Sequence, residues 1–201
     1  MEKETGWLET DEREEALAAL EFLIEILAPL PGDTYRWKWV FVVMHNAVQA
    51  FMVLALRQSD GRGPIRDDVM FKILEALRLK TVPPVERLDS FPNLYRKIKI
   101  TERMQKYGRS KPFVATSSQD YSMRKVHELR NEFLHFTPKG WALDLAGAVD
   151  ICLDCLQIIG FLAEESGTIW WMHESEGKRF SFSLEKLRSQ FQALTQTEAK
   201  P

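Results

Sequence analysis

The sequence predicts an all-α bundle of six or seven helices, and three observations support that expectation. Apolar residues recur at intervals of three and four through most of the chain. Clusters of Pro, Gly, Asp and Ser divide it into segments of helical length joined by short connections. Strand-like patterning is confined to one short stretch near the C-terminus. With 201 residues, 45% hydrophobic and 28% charged, one domain over residues 1–201 is expected, with flexible ends at 1–10 and 195–201.

The first helix opens at Asp11, an N-cap with Glu14 as its N3 partner, and lines up Ala16, Leu17, Leu20, Leu23, Ile24 and Leu27 on one face. Pro29, Pro31 and Gly32 end it. A second helix is expected from about Tyr35 to Arg57, closed by the Asp60 to Pro64 cluster, and a third from about Arg66 to Lys80. Ser90 reads as the N-cap of a fourth, with Pro92 in its first turn and Gly108 after its end near Tyr107. Ser117 and Ser118 read as the cap of a fifth that runs to Phe136. A sixth spans about Leu143 to Ser166 and stops at Gly167. Beyond it, Ile169 to His173 and Lys178 to Phe182 flank a turn-like Glu174-Ser175-Glu176-Gly177 and suggest a small hairpin. Helical spacing then returns at Leu184, Leu187, Phe191 and Leu194.

Composition narrows the function classes. The N-terminal residues lack the basic and then apolar order of a targeting peptide. The apolar run from Val40 to Leu56 is interrupted by His45, Asn46 and Gln49, so a buried helix is expected rather than a membrane span, and the expected location is cytoplasmic. Cys152 and Cys155 are too few for a disulfide scaffold and sit in an apolar helix, where core packing outweighs redox or metal work. No Gly-rich phosphate loop or Gly-x-Ser-x-Gly elbow is present, and Trp170-Trp171 reads as a packing anchor or contact surface. No cofactor or metal is expected. His127, Glu128, Glu132 and His135 lack His-Glu-x-x-His spacing.

Charge is segregated along the chain. Residues 1–93 hold 11 Lys/Arg against 16 Asp/Glu, 94–139 hold 11 against 4, and 140–201 hold 5 against 9. A basic island of +7 thus sits between segments of −5 and −4. Within it Arg96, Lys97, Lys99, Arg103, Lys106, Arg109 and Lys111 interleave with Tyr95, Tyr107 and Phe113. That pattern suits a single-stranded RNA backbone with stacked bases; a solvated basic face or a site for an acidic protein are the alternatives.

The stretch from Arg124 to Pro138 carries the most chemistry. On a helix Val126, Leu129, Phe133 and Phe136 form an apolar stripe, while His127, Asn131 and His135 step by four along another. The string Arg130-Asn131-Glu132-Phe133-Leu134-His135 resembles the signature of the HEPN superfamily, an Arg, a polar residue, a short spacer and a His at the end of a helix in an all-helical bundle. The resemblance covers the motif helix and, loosely, the bundle around it. It implies a metal-independent endoribonuclease, or a non-catalytic member of that superfamily, with toxin-antitoxin or antiphage defence as a setting. It also implies 2′,3′-cyclic phosphate and 5′-hydroxyl products, and chains that pair two-fold.

The residue types fit that chemistry on their own terms. Cleavage through the RNA 2′-hydroxyl needs a proton acceptor, a proton donor and a cation beside the phosphate. Histidine performs either proton role near neutral pH, and arginine holds two phosphate oxygens with its planar fork. His135 and Arg130 are the candidates, with Asn131, one turn before His135, fixing the His135 imidazole tautomer. The bland alternative pairs Arg130 and His135 with Glu128, Glu132 or a helix-end carbonyl. His45, Asn46 and Gln49 on the second helix, together with His127 and Glu128, are expected as supporting or cleft residues, or as a satisfied buried stripe. The rival function is a non-catalytic helical module that binds RNA, a nucleotide or an antitoxin-like protein.

Overall fold

The computed structural model describes residues 6–7, 9–57, 61–105, 110–135, 138, 140 and 142–198. Among them the protein forms eight helices and no strand; one isolated antiparallel bridge joins Ile65 to Leu88. The all-α expectation holds. The ends expected to be flexible lie partly outside the described residues, and the last helix reaches Glu198.

Helix α1 (Glu12–Leu27) begins where the Asp11 carboxylate accepts the Arg13 and Glu14 backbone N–H groups, both at 2.9 Å. Three acids in its first turn complement the positive end of the helix dipole. Two short 3₁₀ turns, Leu30–Gly32 and Thr34–Arg36, lead into α2 (Trp37–Leu56). Thirteen of the residues of α2 are buried, which is why its sequence is apolar almost all round. Residues 34–56 are the one stretch among those described that is long and apolar enough to cross a membrane, yet 67% of its most apolar window is buried inside the bundle. It packs against α1 and, across the core, against α4 (Phe91–Ile98), α6 (Ser117–Leu134) and α7 (Leu145–Gly160).

Helix α3 (Asp67–Leu79) stands to one side over a satellite core of Ile65, Val69 and Ile73. Lys97 of α4 fastens it. Only 1% exposed, its Nζ lies 2.9 Å from Asp89 and 3.0 Å from Asp67 and donates to the Ile65 carbonyl. Burial works to raise the Asp89 carboxyl, but hydrogen bonds from Lys97, Asn93 and the Ser90 N–H outweigh it and hold the group below its usual range. Lys97 is therefore a structural cation and not the surface RNA contact expected from the charge run.

Three other expectations need correction. Helix α4 stops at Ile98 rather than near Tyr107, because the Ile98 carbonyl accepts the Phe113 N–H at 2.9 Å and Ile100 turns extended (φ −95°, ψ 121°). A single turn, α5 (Thr101–Met104), then restarts and buries Met104. At α6 the capping box is Thr116 with Gln119; Ser118 instead donates to Asp154 of α7 at 2.6 Å, and Ser122 does so at 2.7 Å.

The C-terminal hairpin is absent. Residues 174–177 form the first turn of α8 (Glu174–Glu198), whose Glu176 carboxylate accepts the backbone N–H groups of Met172 and His173. A Cβ at Gly177 would sit 3.3 Å from the Trp171 indole, so the glycine that suggested a turn instead admits an aromatic ring that stacks on Phe180. Helix α7 continues through one π turn, Phe161–Glu165, and a Cβ on its Gly160 would meet Arg188 of α8 at 2.8 Å. Arg179 ties α8 back to Glu14 and Glu21 of α1 with contacts of 2.8 to 2.9 Å.

Candidate functional site

Helix α6 buries Ser122, Met123 and Val126 and packs Leu129 and Phe133 against the core. Its next stripe, His127, Asn131 and His135, runs along the edge of the bundle. His135 is the exposed C-cap, with its N–H on the Asn131 carbonyl at 2.9 Å. Phe136, the last member of the apolar stripe, lies outside the described residues.

A chain of hydrogen bonds links the motif to α2. Arg130 Nη1 donates to Asn131 Oδ1 at 2.9 Å, Asn131 Nδ2 is 3.3 Å from His127 Nε2, and His127 Nδ1 is 3.0 Å from His45 Nε2. Because a guanidinium only donates, Asn131 must present its oxygen to Arg130 and its amino group to His127. His127 Nε2 is then an acceptor, its proton sits on Nδ1, and that N–H donates to His45 Nε2. Each ring is fixed as one neutral tautomer.

Protonation of either imidazole would set two donors face to face. The charge environment agrees: burial, then the neighbouring His127 and Arg130, push His45 down to about 3. Burial followed by Arg130 lowers His127, against a smaller opposing effect of Glu128. Phe91 at the start of α4 stacks on both rings, with centroids 4.0 Å from His45 and 5.3 Å from His127.

The other expected residues disperse. Asn46 and Gln49 turn away from His45 and line a separate groove beside Asp11, Glu12 and Glu15 at the start of α1. Glu128 is exposed and accepts from Lys125 at 2.7 Å. Of the basic island, Arg96 and Lys111 are exposed, Lys99 pairs with Asp120 at 2.9 Å, Arg103 pairs with Asp67 at 3.2 Å, and Lys106 and Arg109 lie outside the described residues. Asp67 and Asp89 of the preceding segment, through Arg103 and Lys97, thus neutralise part of the +7 that the sequence concentrates there.

A cleft of about 440 Å³ adjoins the motif stripe on its N-terminal side, between α4 and α6. Phe91, Pro92, Tyr95 and Met123 supply apolar wall, and Arg124, Asp120 and Glu128 its polar edge. Arg124 was legible in principle, since it lies three residues before His127 and seven before Asn131 on one helix face. Asp120, four residues before Arg124, shares that face, whereas Phe91 comes from α4 and only tertiary packing brings it there. No three His, Cys, Asp or Glu side chains among the described residues converge as a metal-holding group.

No protein-family model matches this chain, and no curated protein or solved structure does so.

Proposed function

We propose that this protein is a HEPN-like, metal-independent endoribonuclease with Arg130, Asn131 and His135 as its site. The observation that supports this most strongly is the division of labour along α6: Asn131 holds the Arg130 guanidinium and a neutral His127, while His135 stands exposed one turn on. In the proposed reaction the RNA 2′-oxygen attacks phosphorus, its proton passes to a base, the bond from phosphorus to the 5′-oxygen breaks, and an acid protonates that oxygen. His135 takes one of the two proton roles and Arg130 stabilises charge on the phosphoryl oxygens.

One His135 per chain leaves the other proton role open. His45 does not fill it, being 6% exposed, behind His127 and neutral at physiological pH. His127 already accepts from Asn131. A two-fold pair of chains with both His135 side chains in one cleft supplies the missing group. A toxin-antitoxin or antiphage role, with an antitoxin-like partner, is the setting the resemblance implies.

The test is incubation of pure protein with mixed RNA in EDTA. Cleavage persists, and His135→Ala or Arg130→Ala reduces it about 100- to 10,000-fold with the helical circular dichroism intact. Unchanged cleavage in His135→Ala contradicts the assignment, as does full dependence on added metal. A non-catalytic binding module is the second reading, favoured by the pairing of Lys97, Lys99 and Arg103 with acids; it predicts binding with no cleavage.

A further inference from the structure

The cleft between α4 and α6 has features that the proposed cleavage site does not use. Its volume of about 440 Å³ suits one small planar group. The wall is aromatic, with the Phe91 and His127 rings within 3° of parallel. At the edge, Arg124 is exposed and makes no hydrogen bond or ion pair among the described residues; its guanidinium lies 6.0 Å from the centre of the Tyr121 ring.

One turn before it on the same helix, Asp120 takes the Tyr95 hydroxyl and the Lys99 ammonium, both from the α4 side, on the same oxygen, Oδ1, at 2.8 and 2.9 Å. The second carboxylate oxygen takes no hydrogen bond among the described residues, and hydrogen bonds from Lys99 and Tyr95, helped by the Lys99 and Arg124 charges, hold the group below the usual carboxylate range. An acceptor-only carboxylate is matched by the exocyclic amino group of a base. A guanidinium that makes no hydrogen bond is matched by a phosphate.

The stripe that carries Arg124 and His127 continues to Asn131 and His135, and eight residues of helix place His135 about 12 Å along the axis from His127. The geometry points to a nucleotide subsite: the cleft takes one unpaired base bearing an exocyclic amino group, laid against the apolar wall at exposed Pro92, with Arg124 on the adjoining phosphate. This deepens the ribonuclease reading and rests on it for the identity of the substrate. Adenine, cytosine and guanine fit; uracil lacks the amino group.

The experiment measures binding of the full chain to the non-cleavable 2′-deoxy hexamers dA6, dC6 and dU6 by fluorescence anisotropy, alongside cleavage of the matching RNA. Wild type binds dA6 and dC6 about tenfold more tightly than dU6, Asp120→Asn narrows that gap, and Arg124→Glu weakens all three. Equal affinity for the three hexamers overturns base selection, and unchanged affinity in Arg124→Glu overturns the location. His135→Ala separates the two proposals. If it abolishes RNA cleavage while Arg124→Glu binds and cuts like wild type, the subsite alone fails; if wild type never cuts RNA but binds in an Arg124-dependent way, the subsite stands and the ribonuclease fails.

Discussion

Substituting His45 with Gln probes the buried histidine pair through its effect on acid stability. In the folded protein His45 is neutral down to about pH 3, whereas an unfolded chain takes up a proton at about 6.5. Between those values the unfolded state binds more protons, so stability falls as pH drops below neutrality. Integrating from pH 7 to pH 5 for one group with these two values gives a loss of about 2 kcal/mol. Gln can accept the His127 N–H that His45 accepts, so the substitution removes the titration without stranding that donor. Urea unfolding of wild type and His45→Gln at pH 7 and pH 5, at fixed ionic strength, measures the difference. Wild type should lose about 2 kcal/mol more than the variant over that interval. His127 contributes to both proteins and cancels to first order. Equal losses would refute the neutral, hydrogen-bonded pair.

Lys97→Met leaves Asp89 buried without its cation and should cost about 3 to 5 kcal/mol in urea unfolding, with Lys97→Met/Asp89→Asn recovering part of it; a loss under 1 kcal/mol would return Lys97 to the surface. Thr116→Ala removes the α6 capping box and should cost about 1 kcal/mol by the same assay, whereas Ser117→Ala, which makes no cap bond, should change little. Arg130→Gln withdraws a cation from His127, so its pKa followed by NMR should rise; an unmoved titration would separate Arg130 from the histidine pair. Mixing wild type with His135→Ala at rising ratios under conditions of chain exchange should lower activity per wild-type chain; constant activity would exclude a site shared across a dimer.

The helical architecture was legible because its signals are local. Asp11 as a cap, the Pro29 to Gly32 stop and the spacing along α6 each act within one or two turns. The errors fall where distant groups decide. Four turn-like residues become the start of α8 because the Glu176 carboxylate caps the backbone before it and Trp171 packs over Gly177. Lys97 counted as surface charge because its partners Asp67 and Asp89 belong to a segment that the regional balance treats separately. The spacing points Asn131 at His135, but the ring it holds is His127, and the His45–His127 contact spans 82 positions, which helical periodicity cannot register. Gln49 lies four residues after His45 but about 40° round the helix from it, and Asn46 about 100°, so both turn toward α1.

The proposed function is cleavage through the RNA 2′-hydroxyl at the Arg130, Asn131 and His135 site. Its most direct test is end-group analysis of a labelled RNA cut by wild-type protein in EDTA, next to the same RNA carrying one 2′-deoxy nucleotide immediately 5′ of the cut. Attack by the 2′-oxygen leaves 2′,3′-cyclic phosphate and 5′-hydroxyl ends, and that single cut is lost in the substituted strand. Cleavage that persists at the 2′-deoxy position, or leaves 5′-phosphate ends, would contradict it.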